Sequence, residues 1–152
     1  MNVVQLADCP FVPWRNGGGR TRELLMWPGA NGWLLRVSVA EIEADGPFSR
    51  FPGIDRWFAV LGGAGVVLTL PQGEVTLRPG SAAVAFAGET APACRLIDGP
   101  TRDLNLMWRR GGRTAWRGVF DGGTLHWSED ADEALPALRG WRLGADSMAR
   151  IA

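Results

Sequence analysis

The sequence predicts an all-β fold, and three observations lead there. From Trp57 to Phe86, short apolar runs are separated by Gly and Pro clusters at regular spacing, the pattern of a sandwich or barrel built from short strands. From Trp33 to Ile42, apolar Leu35, Val37 and Val39 alternate with Arg36 and Ser38, the period of two that a strand imposes. Eight tryptophans without a tyrosine suit a core and pocket walls made from large rigid side chains. A chain of 152 residues fits one compact domain, residues 1–152, burying roughly two-thirds of the surface its unfolded chain exposes around one core.

Taken in order, Glu23 to Trp27 reads as a short strand ending at the turn cluster Pro28-Gly29-Ala30-Asn31-Gly32. Trp33 to Ile42 is a clear strand whose Arg36 and Ser38 face one way. That face either lines a barrel interior or is solvated. The loop from Ala44 to Arg56 is dense in Pro and Gly yet holds Phe48 and Phe51. It is either a cover over a binding site or an ordered corner whose phenylalanines plug the end of a barrel. Strands follow at Trp57 to Leu61, Gly65 to Leu70, Glu74 to Leu77, Ser81 to Phe86, Ala93 to Ile97 and Arg102 to Trp108. On the last, Asp103 and Asn105 share a face, as pocket groups or as a solvated strand surface. Further strands are expected at Arg113 to Phe120, at Thr124 to Trp127 and, as a weak pair, within Trp141 to Ile151. Ser128 ahead of Glu129, Asp130, Asp132 and Glu133 suits the N-cap and acidic first turn of a helix that Pro136 keeps short.

The stretch richest in chemistry is Pro13-Trp14-Arg15-Asn16-Gly17-Gly18-Gly19-Arg20-Thr21-Arg22-Glu23. Three glycines allow a close backbone approach and a nest of N–H groups for an anion, and Arg15, Arg20 and Arg22 offer planar donors for a carboxylate. The alternative is a tight turn ahead of a strand. A nucleotide loop does not fit, since a P-loop needs a lysine after its glycines and a dinucleotide turn needs a fixed glycine spacing. All sixteen basic side chains are Arg, which also removes lysine Schiff-base chemistry.

Composition narrows the function further. The formal net charge is zero and Arg is dispersed along the chain, so no basic stripe points to nucleic acid. The first ten residues lack a basic n-region, and no run approaches the ~20 apolar residues of a membrane span. A cytoplasmic protein without a membrane partner is expected. Cys9 and Cys94 lack a C-x-x-C spacing and read as reduced structural thiols, with a disulfide between them left open by the sequence. The single histidine, His126, excludes a multi-histidine metal site and reads as structural. No serine sits in a nucleophile-elbow context for a Ser-His-Asp triad. Asp103, Asp55 and Glu23 remain as carboxylates able to do acid or base work.

Three segments together resemble the HutD/Ves family of bacterial proteins tied to histidine utilisation. They are Pro13 to Gly19 with Thr21-Arg22-Glu23, Gly46 to Gly53 with Asp55-Arg56, and Asp103-Leu104-Asn105-Leu106-Met107. The resemblance spans about residues 10 to 110. It implies a cupin-like jelly-roll β-barrel, and a bicupin plan whose second half is reduced, because the part after Trp108 matches poorly and is short for the family. It also implies a pocket without a metal or other cofactor, and an acidic ligand from histidine breakdown, formylglutamate-like or urocanate-like. Carried over, Asn16, Arg22, Ser49, Arg56, Asp103 and Asn105 become ligand contacts. The reading of the residues themselves adds Trp14, Arg15, Arg36 and Phe51. Position 15 is Arg where the family motif commonly has Lys, which keeps the charge and changes its hydrogen-bond geometry.

The expectation is therefore a metal-independent protein that binds a small carboxylate, with a regulatory or buffering role and no catalytic residue assigned. The alternatives are a metal-independent hydrolase or isomerase using a carboxylate such as Asp103, and an interaction module with a tryptophan-rich surface. A homodimer is compatible with either.

Overall fold

The structure is a computed structural model that describes residues 1–112, 115–135, 140–143 and 148–151. Its elements are β1 (Asn2–Gln5), a 3-10 turn (Leu6–Asp8), β2 (Phe11–Pro13), β3 (Gly19–Trp27), β4 (Leu35–Ile42), β5 (Gly46–Pro47), β6 (Ile54–Gly62), β7 (Val66–Leu70) and β8 (Gly73–Leu77). They continue with β9 (Val84–Ala87), β10 (Ala93–Leu96), β11 (Thr101–Arg109), β12 (Trp116–Asp121), β13 (Thr124–Ser128), β14 (Gly140–Leu143) and β15 (Met148–Ile151). The fold is all-β, as the strand rhythm requires.

The strands form three sheets. A central sheet runs β2-β3-β4-β11-β6-β9, a front sheet β5-β10-β7-β8 and a back sheet β1-β13-β12-β14-β15. The period of two sends the two faces of each central strand into different environments. Leu35, Val37 and Val39 of β4 and Leu104, Leu106 and Trp108 of β11 pack with Trp116, Leu125 and Trp141 of the back sheet. On the opposite face, Ile42, Phe58 and Val60 pack with Val66, Leu68, Leu70, Leu77 and Cys94. The single expected core is thus two apolar clusters, one on each side of the central sheet. The aromatic loop contributes Phe48, whose ring lies 5.3 Å from that of Phe58. Cys9 packs against the back cluster and Cys94 sits in the front one, so the sheet separates the two free thiols.

Among the described residues after Trp108, β12 to β15 form the back sheet with β1, and this sheet is layered on the central one. The expected pair within Trp141 to Ile151 is present as β14 and β15, registered from Gly140↔Ile151 to Leu143↔Met148. Of the strand expected at Arg113 to Phe120, residues 113 and 114 lie outside the described residues, and β12 supplies the rest.

One expectation changes and one open choice is decided. No helix forms over Glu129 to Leu135, and residues 136–139 lie outside the described residues. Ser128 Oγ accepts the Asp130 N–H at 3.0 Å and Asp130 Oδ1 accepts the Asp132 N–H at 2.9 Å. These short side-chain acceptors close consecutive turns in place of a helical ladder. The glycine stretch, in turn, is a hairpin connection and not an open anion nest. Trp14 N–H donates to Gly19 O at 2.8 Å, Gly17 N–H to Trp14 O at 3.1 Å and Gly18 N–H to Asn16 Oδ1 at 2.8 Å. Gly19 itself begins β3.

Gly19 has a packing role as well, because a Cβ there would collide with the Glu41 carbonyl and stand 2.9 Å from the Trp14 ring. Gly19→Ala should therefore destabilise the protein by about 1–3 kcal/mol, the usual cost of overpacking. At Gly18 a Cβ would meet only the movable Asn16 side chain, at 3.2 Å. Urea melts of Gly19→Ala and Gly18→Ala should rank the first as clearly the less stable, and equal midpoints would count against this packing account.

Candidate functional site

The central sheet's front face has two halves. One is apolar and belongs to the front cluster. The other carries polar side chains and forms the floor of a cavity of about 550 Å³. Strand register arranges this face of the sheet as a grid whose polar and methionine positions form the floor. One row runs Met26, Arg36, Met107, Arg56 and Phe86 across β3, β4, β11, β6 and β9. The next holds Glu23, Ser38, Asn105 and Phe58, and the third Thr21, Ala40, Asp103 and Val60. The loop before β6 adds Phe48, Ser49 and Phe51, and the hairpin connection adds Trp14, Arg15 and Asn16.

Nine of the ten residues expected at the site line this cavity. Trp14 lies against Gly19 and donates its indole N–H to Thr21 Oγ1 at 2.7 Å. Arg15 and Asn16 are exposed at the mouth. Arg36 pairs with the Glu23 carboxylate across the strands. Ser49 contributes its carbonyl, 3.4 Å from an Arg56 nitrogen. The two alternations that left pocket or solvent open, Arg36 with Ser38 and Asp103 with Asn105, resolve to the pocket.

Arg22 is the exception. In β3 the residues Thr21 and Glu23 face the cavity, so the strand period turns Arg22 to the other side. There its guanidinium carbon stands 3.8 Å from the Phe11 ring centroid and one nitrogen donates to Leu6 O at 3.2 Å. Arg20 likewise stacks on Phe11 and pairs with Glu41. Arg22 is a packing cation and not a wall of the cavity.

Several lining residues carry no sequence signal of their own. Met26 and Met107 are apolar side chains in apolar stretches, whereas Phe48 stood out with Phe51 in a Gly- and Pro-rich loop. Thr21 was legible, since it shares the parity of Glu23.

The electrostatic centre is the chain Arg56, Asn105, Asp103. Arg56 Nη2 donates to Asn105 Oδ1 at 2.9 Å, and Asn105 Nδ2 donates to Asp103 Oδ1 at 2.6 Å. Arg56 is 4% exposed, and its buried Nε has no hydrogen-bond partner. Among the described residues no carboxylate comes within ion-pair distance of it. The Phe48, Phe51 and Phe86 ring centroids surround its guanidinium carbon at 5.4, 5.3 and 5.0 Å, placing a cation against three π faces. Burial pulls its pKa down to about 10, against the opposing pull of Asp103. Burial pushes Asp103 up to about 8, partly offset by Arg56 and by the Asn105 hydrogen bond.

At neutral pH Asp103 is therefore largely a neutral acid. The other charged lining residues are the Arg36–Glu23 pair and Arg15. The buried, uncompensated charge is Arg56.

Fold and cavity together define an all-β protein with a lined cavity on one face of its central sheet. Comparison with known proteins narrows the class: the HutD family model matches residues 6–149, and the chain belongs to the HutD family. A relative from Pseudomonas putida, described as an uncharacterized 21.2 kDa protein in the hutC 3' region, is 38% identical over 128 residues, covering 80% of this chain and 65% of its own length. The structure of HutD from Pseudomonas fluorescens SBW25 superposes with a TM-score of 0.69 at 36% identity, covering 78% of this chain and 64% of that one. A conserved protein of unknown function from Pseudomonas aeruginosa PAO1 superposes with a TM-score of 0.72 at 28% identity, over 99% of this chain and 95% of its own. The chain spans just under two thirds of the length of the Pseudomonas putida relative.

The raised Asp103 pKa has a consequence for stability. Between the unfolded value of roughly 3.9 and the folded value of about 8, the folded state holds a proton the unfolded state has released. Its contribution is complete below the unfolded value and is lost as pH rises through the folded one. Asp103→Asn removes this dependence, so its stability relative to the parent should grow between about pH 5 and pH 8. Urea unfolding at the two pH values checks it, and a constant difference would contradict the assignment.

Proposed function

We propose that the cavity binds a small carboxylate and that the protein works as a metal-independent binder of an acidic intermediate of histidine degradation, formylglutamate-like or urocanate-like, in a regulatory or buffering role. The observation that carries this reading is Arg56: a buried cation, caged by three phenylalanines, facing a neutral amide oxygen and retaining an unpartnered N–H. A buried charge costs free energy unless it is paired, and a ligand carboxylate supplies both the counter-charge and the missing acceptor. Asn105, Ser38 and Asn16 offer neutral donors and acceptors for an amide or formyl group. Arg15 at the mouth can meet a second acidic group. The link to histidine degradation is supported by HutD family membership and by the position described for the Pseudomonas putida relative.

One observation favours a second reading, an enzyme acting on a small carboxylate: Asp103 is a cavity-lining acid poised near neutrality, as general acid–base work requires. Turnover separates the two. Incubation with N-formyl-L-glutamate or urocanate, followed by proton NMR, leaves the compound unchanged for a binder.

Arg56→Gln should weaken N-formyl-L-glutamate binding by roughly ten- to a hundredfold, the loss of one charge-assisted hydrogen bond or more. Arg22→Ala should bind as the parent does, because Arg22 faces away from the cavity. Calorimetry on variants with cooperative melts checks both. Parental affinity in Arg56→Gln, or an equal loss in both variants, would remove the site.

A further inference from the structure

We propose that Asp103 is a positioning residue of the anion site: its carboxyl accepts from the Asn105 amide so that the amide's carbonyl oxygen faces Arg56, and a charge on that carboxyl closes the site to anions. The proposal rests on the carboxylate reading above and adds a proton requirement to it.

The geometry is a relay of three side chains on two adjacent strands. Asp103 and Asn105 stand two residues apart on β11, on the same face, and Arg56 stands on β6 diagonal to Asn105. The amide has one donor group and one acceptor group, and the relay uses both. Nδ2 is committed to Asp103 and Oδ1 to Arg56. Rotating the amide by half a turn would put an NH₂ group against the guanidinium, donor to donor, so the Asp103 contact sets which end Arg56 meets. A residue one atom different, aspartate at position 105, would have given Arg56 a permanent counter-ion. Asn105 leaves the guanidinium's charge available.

Ionisation of Asp103 changes that balance. Asp103 is 1% exposed, so a charge there is poorly screened by solvent and acts on Arg56 through a low-dielectric interior. It then provides the internal counter-charge that a ligand carboxylate would otherwise provide, and repels that carboxylate. The other groups near Asp103 leave this window clear. Arg56 from β6 acts on it directly, and Asp103 in turn raises the Cys94 thiol of β10. Arg36 of β4, which also acts on Arg56, is paired with Glu23 of β3. Asp45, on the loop after β4, acts on Cys94. Burial holds Cys94 up at about 12, and Arg56 titrates at about 10, so neither changes charge where Asp103 does, at about 8.

Two measurements test the proposal. The first is calorimetry with N-formyl-L-glutamate, whose carboxylates are ionised throughout, from about pH 6 to pH 9. Parental affinity should be flat below about pH 7 and fall by up to roughly tenfold per pH unit above about pH 8. Asp103→Asn should give a flat profile over the same range. The second is a titration of the Asp103 carboxyl carbon by NMR in the ligand-free protein, its resonance identified by its absence in Asp103→Asn. Its midpoint should lie near 8 and move upward when the ligand is added, by reciprocity. A flat parental profile with binding intact, the same slope in Asp103→Asn, or a midpoint near the ordinary value of roughly 4 overturns the proton requirement while leaving the carboxylate site standing. Absence of binding at every pH overturns both.

Discussion

The structure depends on the alternation of the central strands. Each of β4, β6 and β11 sends one set of side chains into the apolar layer against the back sheet and the other set forward. The rear layer is sealed by Leu35, Val37, Leu104, Leu106 and Trp116, and on the other face Ile42, Phe58 and Val60 anchor the sheet to the front cluster. Half of that face can then carry Arg36, Ser38, Arg56, Asp103 and Asn105, a set that would cost free energy in an ordinary core. The back sheet lies a layer away, and none of its described residues lines the cavity.

Within the cavity, charge is placed unevenly. Arg36 meets a carboxylate, while Arg56, deeper and more enclosed, meets an amide. The phenylalanine cage lets this arrangement persist, since three π faces offset part of the desolvation of a guanidinium without neutralising it. Ser49 adds a carbonyl oxygen, a second weak and neutral partner. Every described protein group within hydrogen-bond reach of Arg56 is thus uncharged, and no ion pair among the described residues neutralises it.

Much of this was legible in the residues. The alternation in β4 and β11 placed Arg36, Ser38, Asp103 and Asn105, because a period of two is a geometric property of any strand. Arg22 failed for the same reason in reverse: a motif grouped it with its neighbours, while the strand period separates it from Thr21 and Glu23. Met26 and Met107 were hidden because an apolar residue in an apolar stretch carries no mark of whether it faces core or cavity, while Phe48 was marked by its Gly- and Pro-rich loop. The acidic segment after Ser128 resembled a helix start, but serine and aspartate satisfy local N–H groups equally well in turns. β1 carried no local pattern, and its pairing is decided by a strand far along the chain.

That last pairing shapes how the molecule can assemble. β1 lies beside β13, with Asn2 opposite Trp127 and Gln5 opposite Thr124. The pairing joins residues 2–5 to residues 124–127, so most of the central and front sheets lies between the two strands in the chain. Contacts between such distant residues are closed late and against a large entropy of loop closure. The back layer is therefore held in part by a pairing of long sequence separation, and the wall behind the polar face of the central sheet depends on it.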